Sequence, residues 1–168
     1  MNLKQQADSP ISGTAGGVFN GRQDKKLTGK LLSKSPEDTV EVGRQIASLL
    51  EAGSILALNG NLGSGKTCLA KGIADGLGIK ENITSPTYTI VNEYQNAAFP
   101  FYHIDAYRLN NEKEFEDIGG KEIMNQGGIC VIEWSGKIQK SLPENIINVN
   151  LEITGSQTRL ILIEGLAI

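Results

Sequence analysis

The sequence predicts a three-layer α/β fold with a mixed, mainly parallel central sheet and antiparallel hairpin members. Short apolar runs alternate with stretches of helical spacing, a pattern typical of α/β domains. Between one such run and one such stretch lies G-N-L-G-S-G-K-T, residues 60–67. This segment matches G-x-x-x-x-G-K-[ST], the phosphate-binding loop, so the predicted fold is that of a P-loop NTPase.

The chain of 168 residues is long enough for one domain with a real core. Residues 1–26 are small and polar and show no periodicity, so they are predicted to form a flexible tail before a P-loop domain at 27–168. The first 33 residues carry a net charge of +3, and the remainder therefore carries −6 of the total of −3. An acidic body argues against direct, tight gripping of nucleic acid.

Location follows from what the sequence lacks. The longest apolar runs are too short to span a bilayer, so no membrane association is expected. The N-terminus has no apolar stretch of the kind found in signal peptides. Cys68 and Cys130 are lone thiols, which suits a reducing, cytoplasmic location.

The elements can be justified in chain order. Residues 27–33 are predicted to form a short edge strand. Ser35 caps the next helix, Pro36 takes its first position, and Gly53 is its predicted end. A buried strand at 54–58 precedes the loop, and a helix at 68–78 follows it.

The second half of the chain supplies the rest of the sheet. Residues 88–94 and 99–105 are predicted to pair antiparallel around a turn at 95–97. Short helices at 112–118 and 121–126 lead into a buried strand at 128–132. Residues 146–153 and 158–164 are predicted to close the chain as a hairpin.

The loop residues have distinct chemical roles. Glycines let the backbone curl so that successive N–H groups face an anion. Lys66 can reach the β- and γ-phosphates, and the Thr67 hydroxyl can bind Mg²⁺. The helix that follows turns its positive end toward the phosphates.

Two acids follow predicted strands, and both are candidates for the magnesium site. Mg²⁺ prefers oxygen ligands, and a P-loop site needs a carboxylate near Thr67. Glu133 and Asp105 each end a strand, at the sheet edge where ligands of open α/β sheets bind. The alternative for each is a solvated acid at a strand end.

Other residues near these motifs have one or more possible roles. Trp134 either packs in the core or has a functional role, in which it covers the phosphates or binds a partner. His103 is expected to be structural, and Arg108 either stabilises phosphoryl charge, docks a partner or forms a surface ion pair. Thr87 is a candidate switch residue that senses the γ-phosphate. Cys68 is most simply a small buried residue of the loop helix.

Four stretches together resemble one family. They are L-N-G-N-L-G-S-G-K-T at 58–67, T-S-P-T-Y-T-I-V-N-E-Y at 84–94, Y-H-I-D-A-Y-R-L at 102–109 and I-E-W at 132–134. In order and spacing over residues 35–164 the chain is similar to the TsaE (YjeE) family, the small ATPase of bacterial tRNA threonylcarbamoyladenosine synthesis. The first 26 residues have no counterpart there, and Cys68 stands where a second hydroxyl residue is common.

The resemblance implies an activity and its residues. The chain would hydrolyse ATP with Mg²⁺ and act with TsaD and TsaB, the pair that transfers threonylcarbamoyl to an adenosine beside the anticodon, and would meet tRNA only through that complex. The implied catalytic residues are Lys66, Asp105 and Glu133, and the implied metal ligands are Thr67, Glu133 and Asp105. The expected nucleotide-binding residues are Asn61, Leu62, Gly63, Ser64, Gly65, Lys66, Thr67, Cys68 and Trp134.

Three other functions compete with this one. A P-loop kinase for a small molecule or nucleotide would need an acceptor pocket and usually an arginine-rich lid, but the four arginines are scattered along the chain. A GTPase is less favoured, because no Asn-Lys-x-Asp segment is present. A nucleotide-gated binding module would bind ATP without turnover.

Overall fold

The computed structural model describes residues 18–23, 26–95 and 98–167, with backbone alone for 18–23, 26, 27 and 167. The strands are β1 Val18–Gln23, β2 Lys26–Ser33, β3 Ile55–Asn59, β4 Val91–Tyr94, β5 Phe101–Asp105, β6 Ile129–Glu133, β7 Ile147–Ile153 and β8 Arg159–Ala167. The helices are α1 Pro36–Ala47, α2 Lys66–Gly76, α3 Glu112–Asp117 and α4 Gly120–Met124, with a 3₁₀ segment at Ser135–Ser141.

These strands form one sheet in the order β1-β2-β8-β7-β3-β6-β5-β4. The four central strands, β7, β3, β6 and β5, run parallel, and the outer ones pair antiparallel. The sheet is therefore mixed with a parallel centre, as predicted. Among the described residues, none of the helices combines the length and apolar character that a membrane span requires.

Helices α1 and α2 cover one face of the sheet and α3, α4 and the 3₁₀ segment cover the other, which makes three layers. The first two helices cross at glycines. A Cβ on Gly43 would lie 2.5 Å from the Leu69 carbonyl oxygen, and one on Gly72 would lie 2.0 Å from that of Val40. The two helix backbones pack directly against each other, and this contact fixes the position of α2, which begins at the end of the loop.

The helix start at Ser35 is confirmed, but its end is earlier than predicted. The Ser35 hydroxyl accepts the Asp38 N–H at 3.0 Å, and Pro36 is the first helical residue. The helix stops at Ala47, and the N–H groups of Leu49 and Leu50 then bond only three residues back, to Ile46 at 2.9 Å and to Ala47 at 3.2 Å. Gly53, with φ of 84°, belongs to the turn that leads into β3.

Two predictions about strands need correction. Residues 27–33 are not an edge strand, because β2 pairs with β1 on one side and β8 on the other. The last part of the predicted tail, Val18–Gln23, is itself that partner strand. Lys26 already belongs to β2, and residues 1–17, 24 and 25 lie outside the described residues, so the flexible tail there stays a prediction.

The strand predicted at 88–94 starts three residues late, at Val91. Its first residues instead form a turn in which the Ile90 N–H donates to the Pro86 carbonyl at 2.6 Å. Ile90 has a φ of 66°, a value that a β-branched residue rarely adopts. This turn brings the Ser85–Thr87 hydroxyls back toward the sheet edge instead of continuing the ladder.

Candidate functional site

The loop at 60–65 joins the end of β3 to the first turn of α2. Gly60, Gly63 and Gly65 have φ values of 147°, 75° and 102°, which glycine adopts readily and other residues do not. A Cβ on Gly60 would also lie 2.5 Å from the Leu151 carbonyl oxygen. The glycine pattern is therefore required by the backbone path, and it gives the curled loop that the motif predicts.

The Lys66 side chain bonds to the backbone at the start of the loop. Its ammonium group donates to the carbonyls of Gly60 at 2.8 Å and Asn61 at 3.0 Å, and lies 4.0 Å from the centre of the Trp134 ring. Burial lowers the pKa of this lysine, and the nearby Glu133 and Asp105 act in the opposite direction. The result is a shielded cation at the sheet edge.

Glu133 lies at the centre of a buried hydrogen-bond network. The Thr67 hydroxyl donates to its two oxygens at 2.9 and 3.1 Å. The His103 Nε2 lies 2.8 Å from the first of these oxygens. The register of β5 against β6 explains why His103 lies near Glu133. Side chains two residues apart on a strand share a face of the sheet, so both side chains lie on the same face.

Asp105 pairs in register with Glu133 but faces a different set of donors. Its Oδ2 accepts the hydroxyls of Ser85 at 3.1 Å and Thr87 at 2.6 Å. Its Oδ1 accepts the Tyr107 N–H at 2.9 Å. Asp105 therefore ties the loop before β4 to the segment after β5.

Trp134 follows Glu133 directly and has a φ of 58°, so the chain turns sharply at this residue. Its half-buried ring lies 5.0 Å from that of Tyr107, with the planes tilted by 50°. A non-glycine residue with positive φ persists only where its surroundings enforce it. Here the turn places the indole against the Lys66 ammonium, while the ring also packs against the core cluster that contains Phe115 and Ile138.

The remaining predicted residues line the same loop. Asn61, Leu62 and Gly63 are exposed, and Leu62 keeps 81% of its side chain accessible. Ser64 is buried, and its hydroxyl finds no partner within the described part of the chain. Cys68 is half-buried rather than buried.

Two residues that the sequence did not assign to the site contact it. His103 was expected to be structural, yet it contacts Glu133; its spacing of two from Asp105 on one strand already indicated that face. Arg159 is one of the four arginines scattered along the chain, yet its guanidinium donates to the Gly63 carbonyl at 3.0 Å. Arg108 lies 4.4 Å from the centre of the Tyr88 ring, and within the described residues it forms no ion pair.

The polar groups of this site fit a nucleoside triphosphate with Mg²⁺. A curled glycine loop, a helix start and a lysine suit phosphates, and an unpartnered buried hydroxyl at Ser64 leaves a polar group free inside the loop. Among the described residues, no three His, Cys, Asp or Glu side chains form a metal cluster. Thr67, Glu133 and Asp105 supply hydroxyl and carboxylate oxygens, the donors that Mg²⁺ prefers.

Comparison with known proteins agrees with this geometry. The family model described as "Threonylcarbamoyl adenosine biosynthesis protein TsaE" matches residues 33–161. A "tRNA threonylcarbamoyladenosine biosynthesis protein TsaE" of Treponema pallidum is 42% identical over 130 residues, which are 77% of this chain and 96% of that protein. The Bacillus subtilis protein of the same name is 39% identical over 125 residues, 74% and 78% of the two chains.

A solved structure shows the same architecture. The crystal structure of YdiB from Bacillus subtilis superposes with a TM-score of 0.69 at 30% identity, over 88% of this chain and 90% of that one. On the sequence match, the structural match and the loop geometry together, the chain belongs to the TsaE family.

Proposed function

We propose that this chain is a cytoplasmic, Mg²⁺-dependent ATPase that serves threonylcarbamoyl modification of tRNA adenosine next to the anticodon, together with the TsaD–TsaB pair. The observation that carries the proposal is the contact of Thr67 with Glu133 beside the glycine loop and Lys66. The names of the relatives support the pathway.

Each residue has a defined role in this proposal. The backbone of 61–67 and the Lys66 ammonium hold the phosphates, and Thr67 and Glu133 hold Mg²⁺ directly or through water. When bound there, Mg²⁺ would supply positive charge that offsets the charge of the phosphates. Asp105, the remaining carboxylate, would orient the attacking water, and its bond to the Thr87 hydroxyl connects it to the loop before β4.

A cleft beside the loop is a candidate for the nucleoside. A cleft of about 360 Å³ adjoins the start of the loop, lined by Gly60, Asn61, Asn150, Glu152 and Leu162 among others. Amide and backbone groups of this kind suit a sugar or base edge.

ATP turnover by the purified chain, alone and with TsaD and TsaB, tests the proposal. We expect slow turnover alone and faster turnover with the pair. Lys66→Ala removes the phosphate cation, so turnover should fall by about two orders of magnitude. Lys71→Ala, on the exposed face of the same helix, is the control and should match the wild-type chain.

Two outcomes would contradict this function. Near wild-type turnover in a folded Lys66→Ala variant would remove the phosphate assignment. ATP-dependent phosphorylation of a small acceptor, with no effect of TsaD and TsaB, would instead identify a kinase.

A further inference from the structure

Arg159 connects the β7–β8 hairpin to the apex of the phosphate loop. It is the first residue of β8 and follows the turn at 154–158. Its Nη1 donates to the carbonyls of Gly155 at 3.1 Å and Thr158 at 2.8 Å, while Nη2 donates to the Gly63 carbonyl at 3.0 Å. One planar guanidinium thus bridges two loops that lie 96 residues apart in sequence.

All of these acceptors are neutral. Within the part of the chain whose side chains are described, no carboxylate pairs with Arg159, whereas Arg44 pairs with Glu41 and Asp75. The positive charge of Arg159 is therefore not cancelled by an ion pair and lies close to the loop that we assign to phosphates. The residue as a whole is half-buried, and its bond to the Gly63 carbonyl lies on the exposed side.

The loop apex has little other support. Gly63 is exposed, and a Cβ placed on it would meet nothing within 4 Å. The carbonyl of Gly63 and the N–H of Ser64 belong to one planar peptide and point in opposite directions. Arg159 holds the carbonyl end, and the Asn61 carbonyl accepts the Ser64 N–H at 3.1 Å. This peptide is therefore fixed from both sides.

We propose that Arg159 is a positioning residue that fixes the apex of the phosphate loop from outside and so sets the affinity for nucleotide. The proposal rests on the nucleotide site assigned above. An apex ordered before binding loses less conformational entropy when the phosphates arrive, so a pre-formed loop binds more tightly. Lys66 fixes the base of the same loop through the carbonyls of Gly60 and Asn61.

A positioning role differs measurably from a catalytic one. Interactions that act equally on bound substrate and transition state change KM and leave kcat unchanged. Arg159→Ala should weaken binding of both ADP and a non-hydrolysable ATP analogue about tenfold, the loss expected for charged hydrogen bonds. Turnover at saturating ATP should stay within about twofold of wild type. Arg159→Lys keeps the charge but loses the fork and should recover part of the affinity.

Hydrogen exchange of the nucleotide-free chain gives a second readout. In Arg159→Ala the amides of residues 61–65 should exchange faster, while those of β6 stay protected. Arg44→Ala is the matched control, because it removes an arginine whose partners lie on the outer surface of α1 and α2. It should change neither the dissociation constants nor the exchange of the loop.

The outcomes separate this inference from the function on which it rests. Unchanged affinity and unchanged loop exchange in Arg159→Ala would overturn the positioning role. A fall in kcat with unchanged affinity would overturn it too, because it would indicate contact with the transition state. A wild-type chain that binds neither ADP nor the ATP analogue would overturn the proposed function. If Arg159→Ala does not fold, Arg159→Lys carries the same comparisons.

Discussion

The Thr67 hydroxyl donates to the Glu133 carboxylate across 2.9 Å, and so links the first turn of α2 to the end of β6. Glu133 is 3% exposed, and a buried carboxylate is costly unless donors surround it. Thr67 and His103 are those donors. In this arrangement the hydroxyl uses its proton on Glu133 and leaves its lone pairs for a cation.

Glu133→Gln should lower ATP turnover by about 100-fold without unfolding the chain. The amide has the same size and still accepts the Thr67 hydroxyl, but it removes the negative charge that the metal site needs. Turnover measured over a range of Mg²⁺ concentrations checks this, with Glu164→Gln on the exposed surface of β8 as the control. Equal turnover in both variants would exclude Glu133 from the metal site.

His103 should prove to be a positioning residue for Glu133. A carboxylate oxygen has no proton to give, so the ring Nε2 at 2.8 Å must be the donor. His103→Phe keeps a ring but leaves the buried carboxylate one donor short, which costs about 2 kcal/mol of stability. His103→Gln retains an N–H donor and should recover part of both stability and turnover. Urea unfolding and ATP turnover of the two variants check this order; equal losses in both would contradict it.

Local patterns in the sequence were sufficient to locate most of this site. A buried strand, a glycine loop and a helix start have signatures within ten residues, so Lys66 and Thr67 could be placed from the motif. Asp105 and Glu133 were brought together by one rule, that parallel strands end at the same sheet edge. The register of β5 against β6 bears out that expectation.

Features that depend on tertiary contacts were not predictable in the same way. Residues 88–90 have strong β propensity, but they form a turn instead of a strand. The turn is held at Ile90, whose N–H donates to the Pro86 carbonyl and whose carbonyl accepts the Asp105 N–H at 2.9 Å. Arg159 meets Gly63 only because β8 returns beside β7, and no spacing in the sequence encodes that contact. The residues missed are those whose partners are distant along the chain.

The two cysteines should differ sharply in reactivity. Cys130 lies in β6, and burial raises the pKa of its thiol from 9.0 to about 12. Because the folded state holds the proton, the associated stability is present below pH 9 and is lost as the pH rises toward 12. In Cys68→Ser, native protein at pH 8 should therefore resist a thiol reagent, and unfolding should release one reactive thiol. Rapid labelling of the native variant would contradict the burial of Cys130.

Gly72→Ala should destabilise the chain by about 2 to 3 kcal/mol. The new Cβ would lie 2.0 Å from the Val40 carbonyl oxygen, so α1 and α2 would have to separate. Ordinarily alanine is the better helix former, and an exposed site would gain from the change. Urea unfolding checks the sign, with Lys71→Ala, one residue earlier on the exposed face, as the control. A stabilised Gly72→Ala variant would mean that the two helices are not in backbone contact.

Nucleotide state should control docking to the TsaD–TsaB pair, because the site is connected to two surface segments. Asp105 accepts hydroxyls from Ser85 and Thr87 on one segment and the Tyr107 N–H on the other. The Tyr88 side chain beside them is 84% exposed and stacks with Arg108. A γ-phosphate that draws Thr87 away from Asp105 would therefore release the first segment from the second and change the surface that both present.

The affinity of the chain for the TsaD–TsaB pair should accordingly differ between ADP and a non-hydrolysable ATP analogue, by about tenfold for a coupling of 1.4 kcal/mol. Thr87→Val removes the hydroxyl that joins the site to Asp105 and should shrink this difference, while Thr89→Val, whose hydroxyl bonds Asn92 instead, should preserve it. Trp134 fluorescence gives a local check that nucleotide is bound, since its ring lies 4.0 Å from the Lys66 ammonium. If fluorescence shows full occupancy in both states and the two affinities are equal, the nucleotide has no differential interaction with the complex, and gating must be abandoned.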